Sequence, residues 1–179
     1  MVLFEAVFLS FAVFVLVSGF ISQARGAPYV PLPKKSIKGI LAFADLKGDG
    51  RFYDLGCGDG RVLIEAVKGF GIKKAIGYEI SPWPYFKGRF LVRSNGLKEK
   101  ITILKKDFLE ADFKQADVVF IYLYPKIVQK LVPKFKEELY YGSKIISVSF
   151  PIQEPENFNL RLIKTGKIDK FNTFLYQKV

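Results

Sequence analysis

Apolar positions fill the first stretch, VLFEAVFLSFAVFVLVSGFI from Val2 to Ile21, in which Glu5 is the one charged residue. Twenty residues in a helix span roughly 30 Å, the depth of a bilayer core. The run predicts a transmembrane anchor over residues 1–24. A cleaved signal peptide opens with positive charge. None precedes this run, so the anchor is expected to stay. From Lys34 the pattern changes. KSIKGILAFADL places Ile37, Ile40, Leu41 and Ala44 on one helical face. RFYDLG, KKAIGYEI, ITILKK, ADVVFIYLY and SKIISVSF read as strands, the fourth apolar enough to be buried on both faces. GRVLIEAVKGF reads as a helix with Val62, Leu63, Ala66 and Val67 inward. SPWPYFKGRFLVRSNG reads as another, with Ser81 as N-cap and Pro82 at its first position. PKIVQKLVPKFKEELYYG looks helical, with a kink or break expected at Pro133. RLIKTG and FNTFLYQKV form a closing pair. Strands alternating with helices predict an α/β fold: a Rossmann-like parallel sheet with right-handed crossovers and helices on both faces.

Between the apolar run and this domain lies APYVPLP, Ala27 to Pro33, with three prolines. Such a segment is extended and semi-rigid. The chain therefore divides into an anchor (1–24), a Pro-rich tether (25–33) and a domain (34–179). The tether is either a plain spacer or a strap that crosses the domain and shapes a site. Arg25, Lys34, Lys35 and Lys38 follow the apolar run, which places the domain on the cytoplasmic side of a single-pass membrane protein. From Arg25 onward, 28 Lys and Arg face 16 of the 17 acids, a balance of +12. That charge suits nucleic acid, an anionic membrane face or an acidic protein, or serves solubility alone. The lysines are scattered, with no basic and aromatic strip for bases, so no nucleic-acid partner is expected.

Composition narrows the chemistry. There is one cysteine, Cys57, and no histidine. An internal disulfide, a thiolate zinc site and the usual general base near neutral pH are all excluded, and no metal site is expected. Activity must rest on carboxylates, Lys, Tyr, Ser, backbone groups or a cofactor. YDLGCGDGR, residues 53 to 61, is the stretch that points to one. It takes a strand into a helix through Gly56, Gly58 and Gly60, with Asp54 and Asp59 alongside. Glycines let the backbone turn tightly and let a ligand approach without a Cβ in the way. A dinucleotide fold spaces them G-x-G-x-x-G to seat a pyrophosphate. Here the spacing is G-x-G-x-G, and carboxylates beside it would repel phosphate. They suit a cationic carrier without phosphate, and S-adenosylmethionine is one. Asp54 and Asp59 would serve its cationic end. Glu79, after the second strand, is placed to accept from ribose hydroxyls. Asp107 would accept from the adenine amino group, with Phe108 against the ring. Cys57 lies inside the loop, with no neighbour to activate it as a nucleophile.

YDLGCGDGR, then GYEISPW, then KKDF, with PYVP before them and FIYLYP after, resemble a known family. These are the small class I methyltransferases with seven β-strands that modify protein lysines. Among them are the mitochondrial enzymes acting on the ATP synthase c subunit and the adenine nucleotide translocase, and archaeal protein lysine methyltransferases. The resemblance covers roughly residues 27 to 150. It implies a seven-strand sheet with an antiparallel last strand, S-adenosylmethionine as cofactor, and methyl transfer to a lysine amine. With the tether, it implies a protein substrate at the membrane. Tyr124, Tyr122 and Tyr29 are the candidates to line an amine channel, ordinary packing being the alternative for each. YLYP departs from the Asn- or Asp-Pro-Pro-aromatic motif of amide and adenine-amino methyltransferases, which disfavours those substrates. Two other readings stay open: a methyltransferase acting on RNA or a small molecule, and a non-catalytic module that binds the cofactor.

Overall fold

The computed structural model describes residues 2–24, 29–46, 48 and 50–179. Residues 25–28 of the tether, Arg25 included, lie outside them. Five parallel strands form most of one seven-strand sheet: β1 (Arg51–Leu55), β2 (Lys74–Tyr78), β3 (Ile101–Leu104), β4 (Val118–Ile121) and β5 (Lys144–Val148). β6 (Leu160–Ile168) and β7 (Phe171–Lys178) close it in the order β3-β2-β1-β4-β5-β7-β6, with β7 antiparallel to both neighbours. The expected closing pair and antiparallel last strand are therefore present.

Each face of the sheet is covered by apolar helix surface. On one side α2 (Lys34–Phe43), α3 (Arg61–Phe70) and α4 (Pro82–Ser94) bury Ile37, Ile40, Leu41, Leu63 and Val92 against Phe52 and Phe120. On the other, α5 (Pro125–Glu138) buries Val128, Leu131, Val132 and Phe135 against Val119, Ile121 and Ile145. Each such side chain contributes about 1.5–3 kcal/mol by leaving water. That burial explains why α5 runs through Pro133 without the expected break. The proline costs one backbone hydrogen bond, and the buried residues on either side hold the helix together.

The N-terminal expectation is overturned. Among the described residues no helix is long and apolar enough to cross a membrane. The transmembrane anchor and the single-pass placement with a cytoplasmic domain fall with it. α1 (Val2–Ala24) is helical and touches α4, while Phe4, Phe8, Leu9 and Leu16 stay exposed. Ser18 is buried, and its hydroxyl accepts a 2.9 Å hydrogen bond from the Trp83 backbone N–H at the start of α4. The Phe14 ring lies 6.3 Å from that of Phe86.

Candidate active site

β1 lies between β2 and β4, where the strand order reverses. That is where open α/β sheets bind ligands, beyond the carboxyl ends of the strands. The chain leaves β1 through Gly56, Gly58 and Gly60, all at positive φ (76°, 54° and 73°), and enters α3. The backbone N–H groups of Gly56 and Cys57 both donate to the Tyr78 carbonyl, at 2.9 and 3.0 Å, pinning the loop to the end of β2. Two glycines are needed for close approach. A Cβ on Gly58 would sit 2.7 Å from Cε2 of the Tyr29 ring. A Cβ on Gly77 would sit 2.6 Å from both Cys57 Sγ and Leu63 Cδ1, which is why β2 can lie so near the loop. Ser81 precedes α4 as expected but makes no side-chain cap, and its buried hydroxyl has no partner among the described residues.

Beside the loop is a cavity of about 290 Å³. Gly56, Cys57 and Gly58 supply its floor, and Asp54, Glu79 and Asp107 supply carboxylates. Phe108 closes one side. Glu79 is buried and accepts from the Gly58 N–H at 2.9 Å and the Ser81 N–H at 2.7 Å, one on each oxygen. Its carboxylate is thus fixed in place, with lone pairs left for a ligand. Asp54 is only 3% exposed, and its Oδ2 has no partner among the described residues. Burial, then the charges of Glu79 and Asp59, push its carboxyl well above the ordinary range. Burial also raises Glu79, against the opposing hydrogen bonds from the Ser81 and Gly58 backbone. Burial and the same carboxylates push the Cys57 thiol well up, so the thiolate needed for nucleophilic attack is disfavoured. Asp107 accepts from the Leu109 N–H at 2.9 Å, which orients the turn that carries Phe108.

The remaining candidates separate. Tyr29 and Tyr122 line the cavity. Tyr122 is held edge-on to Phe171, with centroids 5.9 Å apart. Tyr124 is half exposed outside the lining, near Phe150. Asp59 also lies outside the lining. It is 2% exposed and spends its oxygens on Arg61 and Lys87. Burial opposes its ionisation, but hydrogen bonds from Arg61, Tyr29 and Lys87 prevail and hold its carboxyl well below the usual range. Arg61, which the sequence leaves open either to pair with a neighbouring acid or to face solvent, pairs with Asp59, whereas no local signal singles out Lys87. The opposite charges of Asp59 and Arg61, two residues apart, were the available signal for the first.

These residues fit a phosphate-free, cationic nucleoside. A buried acceptor oxygen lacks a partner, and a second carboxylate is held rigidly beside the glycine loop. The comparisons agree. A family model described as the ANTKMT methyltransferase domain matches residues 54–158. A protein-lysine N-methyltransferase of Saccharolobus islandicus (strain REY15A) is 38% identical over 132 residues, covering 74% of this chain and 82% of the relative. The mouse adenine nucleotide translocase lysine N-methyltransferase is 30% identical over 126 residues, covering 70% of this chain. This chain spans about half of that relative's length (54%). A solved RNA methyltransferase from Salinibacter ruber, in complex with S-adenosyl-L-homocysteine, superposes with a TM-score of 0.77 at 30% identity, covering 83% of this chain and 94% of its own.

Proposed function

We propose that this chain, which belongs to the ANTKMT methyltransferase family, transfers a methyl group to the side-chain amine of lysine in a protein substrate. It is a methyltransferase that uses S-adenosylmethionine. The observation that carries the lysine assignment is the 38% identity with an archaeal protein-lysine N-methyltransferase across most of both chains. When bound, the cofactor supplies a methyl carbon on a sulfonium, electrophilic enough for in-line attack by a neutral amine.

The protein's own work is alignment and exclusion of water, which together lower a barrier by several kcal/mol. Asp54 would hold the cationic end of the cofactor, Glu79 the ribose, and Asp107 with Phe108 the adenine. The amine adds a requirement. With a free pKa of ~10.4, losing its proton at pH 7 costs about 4.6 kcal/mol. A nearby cation and a dry aromatic wall both lower that cost. Tyr122, beside Leu123 in the cavity lining, supplies such a wall, and the hydroxyl of Tyr122 or Tyr29 would orient the lone pair. Tyr124 would stand at the channel's outer edge.

The basic domain and the likeness to an RNA methyltransferase support RNA as a second reading. One experiment separates the two. Extract from cells lacking the gene is incubated with the purified full chain and methyl-labelled cofactor. Label is expected in material that protease removes and ribonuclease leaves, and acid hydrolysis is expected to yield methylated lysine. Label that ribonuclease removes would transfer the assignment to RNA.

A further inference from the structure

We propose that Arg61 is a positioning residue that latches the Tyr29–Leu32 strap over the glycine loop, so that the nucleoside ligand exchanges only when this latch opens. The inference rests on the methyltransferase reading of the cavity, though not on the identity of the methyl acceptor.

Residues 29–32 all line the cavity, and the strap is one of its walls. Among the described residues, no backbone–backbone hydrogen bond holds residues 29–32. A segment without such bonds belongs to the part of a fold that opens most readily. What fixes it is a side-chain cluster. The Arg61 guanidinium donates to both oxygens of Asp59, through Nε at 2.8 Å and Nη2 at 2.6 Å. Its remaining nitrogen, Nη1, donates to the Leu32 carbonyl at 3.1 Å. The planar fork of arginine makes all three bonds at once, and a lysine cannot.

Lys87 closes the cluster from α4. Its Nζ lies 3.1 Å from Asp59 Oδ2, donates to the Tyr29 hydroxyl at 3.3 Å and stands over the Tyr29 ring, 5.6 Å from the centroid. The ring in turn rests where a side chain on Gly58 would be. Asp59 is therefore the hub: buried, outside the cavity lining, and bonded to cations from α3 and α4 that grip the two ends of the strap. The buried Leu32 side chain anchors the far end in the core. Val30, between the two grips, is 53% exposed and lines the cavity.

The test measures dissociation of labelled S-adenosylhomocysteine from the full chain, chased with excess unlabelled compound. Arg61→Gln is expected to speed dissociation at least 10-fold. Arg61→Lys, which keeps one ion pair to Asp59, is expected to recover part of the difference. Lys87→Met, at a residue outside the cavity, is expected to speed dissociation about 5-fold with little change in melting temperature. It keeps the test informative should Arg61→Gln fail to fold. Wild-type dissociation rates in Lys87→Met and in either folded Arg61 variant would overturn the latch. Failure of the wild-type chain to bind S-adenosylhomocysteine would instead overturn the cofactor reading and take the latch with it.

Discussion

Asp54→Asn is expected to bind S-adenosylmethionine roughly 10- to 150-fold more weakly than the wild type, the equivalent of losing one hydrogen bond to a charged group at about 1.5–3 kcal/mol. It is also expected to melt a few degrees higher at neutral pH, at about 2–4 °C per kcal/mol for a chain of this size. Both effects have one cause. Asp54 is buried with an unpartnered oxygen, and burial with the charges of Glu79 and Asp59 raises its carboxyl well above the ordinary range. In the unfolded chain the same group titrates near ~3.9. Between that pH and the raised folded value, the native state keeps a proton that the unfolded chain has released. Stability of the ligand-free protein therefore falls as pH rises through this window and levels off above it. Asparagine removes that loss. A cationic ligand favours the ionised carboxylate, so binding is expected to release protons, and affinity to rise with pH across the same window. Calorimetry in buffers of different ionisation enthalpy reads the release directly. Asp54→Asn should diminish it. Unchanged affinity and unchanged proton release in this variant would separate Asp54 from the ligand.

Glu79→Ala is expected to shift stability the opposite way while costing still more affinity. Its two oxygens accept from the Gly58 and Ser81 N–H groups. Removing them strands two donors at a buried site, at about 1–3 kcal/mol each. The melting temperature should drop by several degrees. Binding should weaken more than about 100-fold, because the ribose acceptor and the bond that fixes Gly58 are lost together. Glu79→Gln, which retains one acceptor oxygen, should lie between. A Glu79→Ala protein that melts lower yet keeps full affinity would refute the ribose assignment and leave Glu79 a structural brace. The contrast in melting between Asp54 and Glu79 is diagnostic, since one carboxylate has an unpartnered buried oxygen and the other holds two backbone N–H groups.

Local signals made much of this site legible in advance. The glycine loop, the acids at strand ends and the amphipathic face of α3 all depend on neighbours a few residues away, and all lie where the pattern placed them. What escaped depends on distant chain. Asp59 looked like a cofactor ligand from its place in the loop, yet its oxygens are taken by Arg61 beside it and by Lys87 from another helix. The Leu32 carbonyl that Arg61 reaches is 29 positions upstream, and the Tyr29 hydroxyl that Lys87 reaches is 58 away. No spacing rule spans such gaps. Tyr124 illustrates the converse. Its place after β4 suggested a channel residue, but the turn into α5 leaves it half exposed, while Tyr122 faces inward. The apolar N-terminal run misled for the same reason. Its length fitted a bilayer, and the bond from Trp83 to Ser18 was invisible until the fold brought α1 and α4 together.

The assignment of this cavity to a phosphate-free methyl carrier is tested most directly by a crystal structure of the full chain with S-adenosylhomocysteine. The account predicts ribose hydroxyls within hydrogen-bond distance of the Glu79 carboxylate, adenine against Phe108 and the sulfur facing Tyr122. A ligand seated elsewhere, or in this cavity with its ribose turned away from Glu79, would contradict it.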